Sequence, residues 1–399
     1  MNLNKKVLTD PVFILLFLNS LMVLLAYSYN SYYQAISGTF TLVKQFLILA
    51  SIFYLLSRKI SLGIFRNTTL LIPITFLFFS ALRTSFLSSI YSLSTLFVPY
   101  FYVLLSLSYL VIRYEFKTTF GHLLILINTV YLYPILIYFV FGTGFEKTNI
   151  YGIQDNGFFY SNHYGWASTV FLTTAPAILY LFKPGKLYLN ILLGSIILAF
   201  YLLIISANRA SFLAIAIALV VLLLYPKGIQ LLKKNSLKLL PFLILIPAYF
   251  LISIKNQKGS AIDFLIAKNE KQFETKEMEE SRLVVTDFSF RHFNEQPLLW
   301  FTGVGLFNHR FIEGVTNLGA YHNSYWEILF GGGVFAFFFF LNVMVFRPFY
   351  VFKKYIGNFG LVIIPLVIIP FFESNLTGGQ FLFFPWFSVM LLLNVRKIE

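Results

Sequence analysis

From Leu187 to Tyr225 the chain reads LYLNILLGSIILAFYLLIISANRASFLAIAIALVVLLLY, an apolar run broken only around Ser206-Ala-Asn-Arg209. A helix needs roughly 20 apolar residues to cross a hydrocarbon core roughly 30 Å thick. This 39-residue run is far too long for one crossing and must fold into two helices. Its tip falls near Asn208-Arg209, which leaves a guanidinium at one membrane face. Such a cation either snorkels to the interface or grips an anion, and the run alone leaves both open.

The rest of the chain repeats the pattern. It is 58% hydrophobic and 12% charged over 399 residues, with mean hydropathy +0.77, which excludes a soluble globule. Apolar segments recur near 11–27, 39–57, 68–83, 90–112, 119–141, 162–182, 187–206, 209–225, 239–254, 322–346, 358–372 and 379–395. The expectation is an all-α polytopic membrane protein with about 12 transmembrane helices. Placing alternate loops on opposite sides collects 18 of the 30 basic residues on one side, joined there only by Asp10, Glu115 and Glu399. That side is expected to be the cytoplasm, with both termini inside. The +14 net charge is therefore a topology signal and calls for no nucleic acid. The first apolar run, after Lys5-Lys6, is expected to remain as a helix rather than act as a signal peptide. With no cysteine, disulfides, thiolate nucleophiles and cysteine metal sites are excluded together.

Residues 1–160 read as an N-terminal set of transmembrane helices and 161–399 as a second region that contains the long extracytoplasmic loop 255–321. Residues 142–161, rich in glycine and amides, are expected to form a loop. In the long loop, Ile262, Leu265, Ile266 and Phe273 fall near helical spacing, and charges crowd 268–282, so one or two helices are expected on the outer surface. Gly303-Val-Gly305 reads as a tight turn, and Gly331-Gly-Gly333 as a place for close helix contact. Lys44, placed about a turn into the second helix, is expected to reach water by snorkelling.

No Asp-x-Asp, Walker loop, His-x-x-x-His or Gly-x-Ser-x-Gly is present, and Asp155, Asp263 and Asp287 stand apart, so no metal site is expected. His322 opens the apolar run 322–346, with Tyr325 and Trp326 on its helical face; its near-neutral pKa suits proton abstraction from a sugar hydroxyl, the alternative being an interfacial histidine among aromatics. Arg282 follows the acidic cluster Glu277-Met-Glu-Glu280, and either pairs with it or serves a ligand. Asn162 and His163 open the sixth helix as acceptor-path or capping residues. Glu373 ends an apolar helix, where it either positions a hydroxyl or stops the helix. Asn323 either orients the His322 ring or caps the helix.

Three features resemble the bacterial O-antigen polymerase and O-antigen ligase superfamily: Ser-x-x-Arg-Ala at 206–210, Ser281-Arg282 followed by Pro297 and Gly303-Val-Gly305, and His322-Asn323-x-Tyr325. Their order and separation match over roughly 160–395. The resemblance implies a GT-C-like membrane fold and a metal-independent, inverting transfer from a polyprenyl (undecaprenyl) diphosphate-linked oligosaccharide, with no cofactor. It implies Arg209 and Arg282 as diphosphate ligands, His322 as the residue acting on the acceptor, and Asn323, Tyr325, Glu373, Asn162 and His163 as positioning candidates. The expected activity is a polysaccharide repeat-unit polymerase in the bacterial inner membrane, its site facing the periplasm or exterior. A chain-length regulator and a flippase would be its partners. An O-antigen ligase, which uses lipid A-core as acceptor, and a lipid-linked oligosaccharide flippase are the alternatives.

Because the chain lacks cysteine, its topology is testable by single-cysteine labelling. An impermeant thiol reagent should label Lys268→Cys and spare Lys234→Cys in outer-permeabilised cells; the reverse pattern inverts the orientation.

Overall fold

The computed structural model describes residues 4–28, 34–58, 110–141, 146–148, 154–156, 161–182, 185–206, 208–224, 277–305, 323–356 and 364–372, with isolated positions between 75 and 108. The expected spans at 239–254 and 379–395, most of 68–83 and 90–112, and the amphipathic stretch 262–273 lie outside them.

The described elements are α1 (Lys5–Leu8), α2 (Pro11–Ser28), α3 (Gln34–Leu56), α4 (Phe116–Phe141), β1 (Glu146–Thr148), β2 (Gln154–Asn156), α5 (Ser161–Leu181), α6 (Lys186–Ile205), α7 (Arg209–Leu224), α8 (Glu277–Glu295), α9 (Leu299–Thr302), α10 (Ser324–Leu341), a π turn (Asn342–Phe346), α11 (Arg347–Ile356) and α12 (Ile364–Phe372). The segment 142–161 corrects the sequence reading: it carries an antiparallel β1–β2 hairpin, with Lys147 opposite Asp155. α3 begins well before 39, so Lys44 sits about 15 Å along its helix rather than one turn in.

Side chains such as Phe46, Phe53 and Leu187, all more than 70% exposed, point away from the bundle. Water would not tolerate that outer surface, whereas hydrocarbon does. By length and composition three described helices can cross a membrane: Phe116–Phe139, Lys186–Ile204 and Ser324–Leu341. Sequence neighbours pack on one another, α2 on α3, α4 on α5 and α5 on α6. Where lipid gives no hydrophobic gain to helix pairing, buried polar side chains tie helices together. Asn19 of α2 donates to Ser51 Oγ of α3 (3.0 Å), and Asn128 of α4 donates to Thr174 Oγ1 of α5 (2.9 Å). At one end, α1 docks when the Asn4 backbone N–H donates to His122 Nε2 (3.1 Å). The other ring nitrogen of His122 lies 2.7 Å from the Thr118 carbonyl, so Nδ1 carries the proton and the ring is neutral.

The third candidate span is not a straight helix. Gly333 inside α10 has φ 78° and ψ 179°, outside helical geometry. The Tyr325 and Phe340 rings nevertheless lie 5.8 Å apart. In an unbroken helix these positions would be separated by about 22 Å, so the chain turns sharply at Gly333. The arm before the turn, 324–332, is almost wholly buried, while the arm after it exposes Phe335 and Phe338. From 334 the helical path runs on through the π turn to 356, about 34 Å and enough for a crossing by itself. The expected span 322–346 is thus corrected to a buried arm followed by a separate helix.

The Asn128–Thr174 bond is the clearest tie between α4 and α5. Asn128→Ala and Thr174→Val should each lower thermal stability in detergent, and their double-mutant cycle should show coupling of about 0.6 kcal/mol; strictly additive losses would mean the bond does not hold the pair.

Candidate active site

Arg209 is the first residue of α7, and Asn208 caps that helix. The Asn208 side chain accepts from the Ser211 N–H (2.9 Å) and its carbonyl from the Phe212 N–H (3.1 Å), so the tip of the 187–225 hairpin is fixed by its own asparagine. Asn208 is buried because α5 presses on it. A Cβ built on Gly165 would lie 2.5 Å from Asn208 Cβ and 3.0 Å from Ser206 Oγ. Only glycine permits this approach. Asn162 and His163 belong to the same first turn of α5, so the structure brings the start of α5 together with the Arg209 tip. Beneath them Ser168 and Ser211 are fully buried, and neither hydroxyl has a hydrogen-bond partner among the described residues.

Arg282 lies in α8, whose opening glutamates favour the positive end of the helix dipole. By helical register position 282 shares a stripe with Val285, Ser289 and Phe293, all fully buried. α8 packs on the first arm of α10 through aromatic rings: Phe290 meets Trp326 at 5.4 Å and Phe330 at 5.2 Å, and Phe293 meets Phe330 at 5.0 Å. The contacts advance in the same sense on both elements, so the earlier turns of α8 run toward the 323 end of α10.

The two glycine runs explain the break in α10. Ending the first arm at Gly333 releases its last carbonyls. The Val304 N–H donates to the Phe330 carbonyl and the Gly305 N–H to the Gly331 carbonyl, both at 2.9 Å. Gly303 (φ 63°) and Gly305 (φ 98°) form the turn that presents these donors. A Cβ on Gly303 would lie 2.2 Å from the Gly331 oxygen, and one on Gly333 2.4 Å from the Phe301 oxygen. The expected turn and the expected close contact are thus two halves of one clamp.

His322 and Glu373 lie outside the described residues, but their neighbours are placed. Asn323 caps α10, its Oδ1 accepting from the N–H groups of Tyr325 (2.9 Å) and Trp326 (3.2 Å). The buried Tyr325 donates to the Val367 carbonyl of α12 (2.8 Å) and stacks on Phe371 at 4.1 Å. Tyr325, three residues after His322, therefore meets the last turn of α12, which leads into Glu373. α12 also packs along α7, so one short helix touches both the element that Arg209 opens and the arm that follows His322. Sequence reasoning passed over Glu327, the one carboxylate of the run 322–346, which is 7% exposed on the first arm. An acid inside an apolar run was the available signal. No group of three metal-ligating side chains occurs among the described residues.

The clamp makes a prediction. Gly303→Ala and Gly333→Ala should each cost at least about 1–3 kcal/mol in backbone strain, before the carbonyl clash, and yield little folded protein. Gly194→Ala in α6, where nothing lies within 4 Å, should be neutral or mildly stabilising. Equal yields of all three variants by size-exclusion chromatography would contradict the close approach.

No curated protein matches the chain. A family model described as O-Antigen ligase matches residues 194–341, the segment that holds Arg209, Arg282, the glycine clamp and His322. Over that segment the chain is similar to the O-antigen polymerase and ligase superfamily, in agreement with the motifs that carried the resemblance.

Proposed function

We propose that this membrane protein is a polysaccharide repeat-unit polymerase that moves a growing glycan from polyprenyl diphosphate onto the next lipid-linked repeat unit. The observation that carries the reading is the arrangement around α12, which packs on the helix opened by Arg209 and ties down the arm that follows His322. The match of residues 194–341 to the O-antigen ligase family supports the broader reading, a membrane enzyme that transfers O-antigen-type glycans.

In the proposed reaction the acceptor hydroxyl oxygen attacks the anomeric carbon of the donor sugar as the bond to the diphosphate breaks, inverting that carbon. The hydroxyl proton passes to His322, and the bonding electrons leave with polyprenyl diphosphate. Arg209 and Arg282 bind the diphosphate and stabilise the charge that develops on it, with their planar forks matched to its oxygens. A diphosphate is already a good leaving group, so no carboxylic acid pair is required. Asn162 and His163 stand beside the Arg209 tip, where they would line the acceptor path. Glu373 would position a sugar hydroxyl, while Asn323 and Tyr325 hold the His322 segment in place. The GT-C-like assignment, the twelve crossings, the inner-membrane location with both termini cytoplasmic, and the flippase and chain-length regulator as partners belong to the same proposal. The name of the matching family favours one second reading, a ligase that delivers the glycan to lipid A-core.

The test is extension of purified lipid-linked repeat units in excess chelator. His322→Ala should insert and bind donor yet lose about 10²–10⁴-fold in rate, and Arg209→Lys and Arg282→Lys should both impair extension at normal protein levels. Asn323→Ala should instead cost about 1 kcal/mol of stability through the lost cap. Near-normal turnover by His322→Ala, or an absolute need for divalent metal, would overturn the mechanism. Deletion strains separate the acceptors: loss of a polymerase leaves single repeat units on the surface, whereas loss of a ligase accumulates long lipid-linked polymer.

A further inference from the structure

α11 lies at the far end of the helical path that leaves Gly333, and its sequence, RPFYVFKKYI, is strongly two-sided. At 100° per residue, Arg347, Tyr350, Lys353 and Lys354 fall within about a third of the helix circumference. The adjoining edge holds Pro348 and Val351, which are buried where α11 packs against α5. The outward edge is aromatic: Phe346 is 61% exposed and Tyr350 63%, with Phe349 at 40%. Lys354 is exposed. Three cations interleaved with exposed aromatic rings, at the end of a path about as long as the bilayer is thick, match a water–lipid boundary. Aromatic rings sit there at the level of the headgroups, and basic side chains meet lipid phosphates.

We propose that the Arg347, Lys353 and Lys354 arc of α11 is a binding site for the headgroup of anionic phospholipid, of the phosphatidylglycerol class, in the leaflet away from the Gly333 turn. Charge complementarity selects this occupant: a zwitterionic headgroup offers the arc no net attraction, and a protein partner would have to displace lipid from the exposed Phe346 and Tyr350. The proposal rests on the membrane reading and is independent of the glycan chemistry.

The test uses the full chain, whose lack of cysteine permits single labels. Native mass spectrometry of protein released from vesicles of mixed phosphatidylcholine and phosphatidylglycerol should show preferential retention of phosphatidylglycerol. That preference should fall by about fivefold for each charge removed in Lys354→Gln and in the Lys353→Gln, Lys354→Gln double variant. In the same vesicles a nitroxide at Phe349→Cys should collide with oxygen, and one at Lys354→Cys with a water-soluble nickel chelate. Equal retention of the two lipids, or an undiminished preference in the double variant, overturns the proposal. So does a Phe349→Cys label as open to nickel as that at Lys354→Cys, which would place the helix outside the membrane. Spin–spin broadening at Phe349→Cys that vanishes on dilution with unlabelled protein would assign the face to a second copy of the chain, and overturns it too.

Discussion

The rest of the site depends on one pair of backbone hydrogen bonds, from the N–H groups of Val304 and Gly305 to the carbonyls of Phe330 and Gly331. A helix that stops inside a buried environment leaves carbonyls that no water can satisfy, and each such group costs several kcal/mol in hydrocarbon. The extended turn after α9 removes that cost, and it can do so only because glycines at 303 and 333 let two backbones approach closer than any Cβ allows. From this clamp follow the bend at Gly333, the burial of the arm 324–332 and the docking of α8 through Phe290 and Phe293.

The candidate site is accordingly a meeting of helix ends rather than a cleft in one helix face. Asparagines stand at two of these ends: Asn208 caps α7 and Asn323 caps α10. Each cap consumes the first N–H groups of its helix and fixes the direction in which the preceding chain arrives. That geometry suits the proposed reaction, whose two substrates are both anchored in lipid, since rigid helix ends would hold the reacting groups without the entropy of ordering a loop.

The bundle shows how a chain so apolar keeps a specific shape. Hydrophobic burial does not distinguish one helix pair from another when lipid is the solvent, so the discriminating contacts are polar or steric. Asn19 with Ser51 and Asn128 with Thr174 fix neighbouring helices, Gly165 fixes α5 against the α6–α7 tip, and the Tyr325 hydroxyl fixes α10 to α12. Two buried serine hydroxyls, at 168 and 211, have no hydrogen-bond partner among the described residues, and each lies within a turn or so of the Gly165–Asn208 contact where the ligand is proposed to bind.

The sequence by itself determined the class of the protein and much of its helix map. The 187–225 run had to fold in two because no bilayer accommodates its length, and the structure breaks it at Arg209. The turn at Gly303-Val-Gly305 and the close contact at Gly331–Gly333 were legible because glycine-rich runs have few other uses. The tertiary structure alone decided that these two runs engage each other, some thirty residues apart, and that their contact breaks the helix expected over 322–346. Hydropathy averages over a window and cannot register a single positive φ, which is adopted only when another backbone supplies the hydrogen bonds that the break gives up. The β1–β2 hairpin escaped for a related reason: each strand is three residues long and exists only by pairing with the other, and so short a segment carries no periodicity to read.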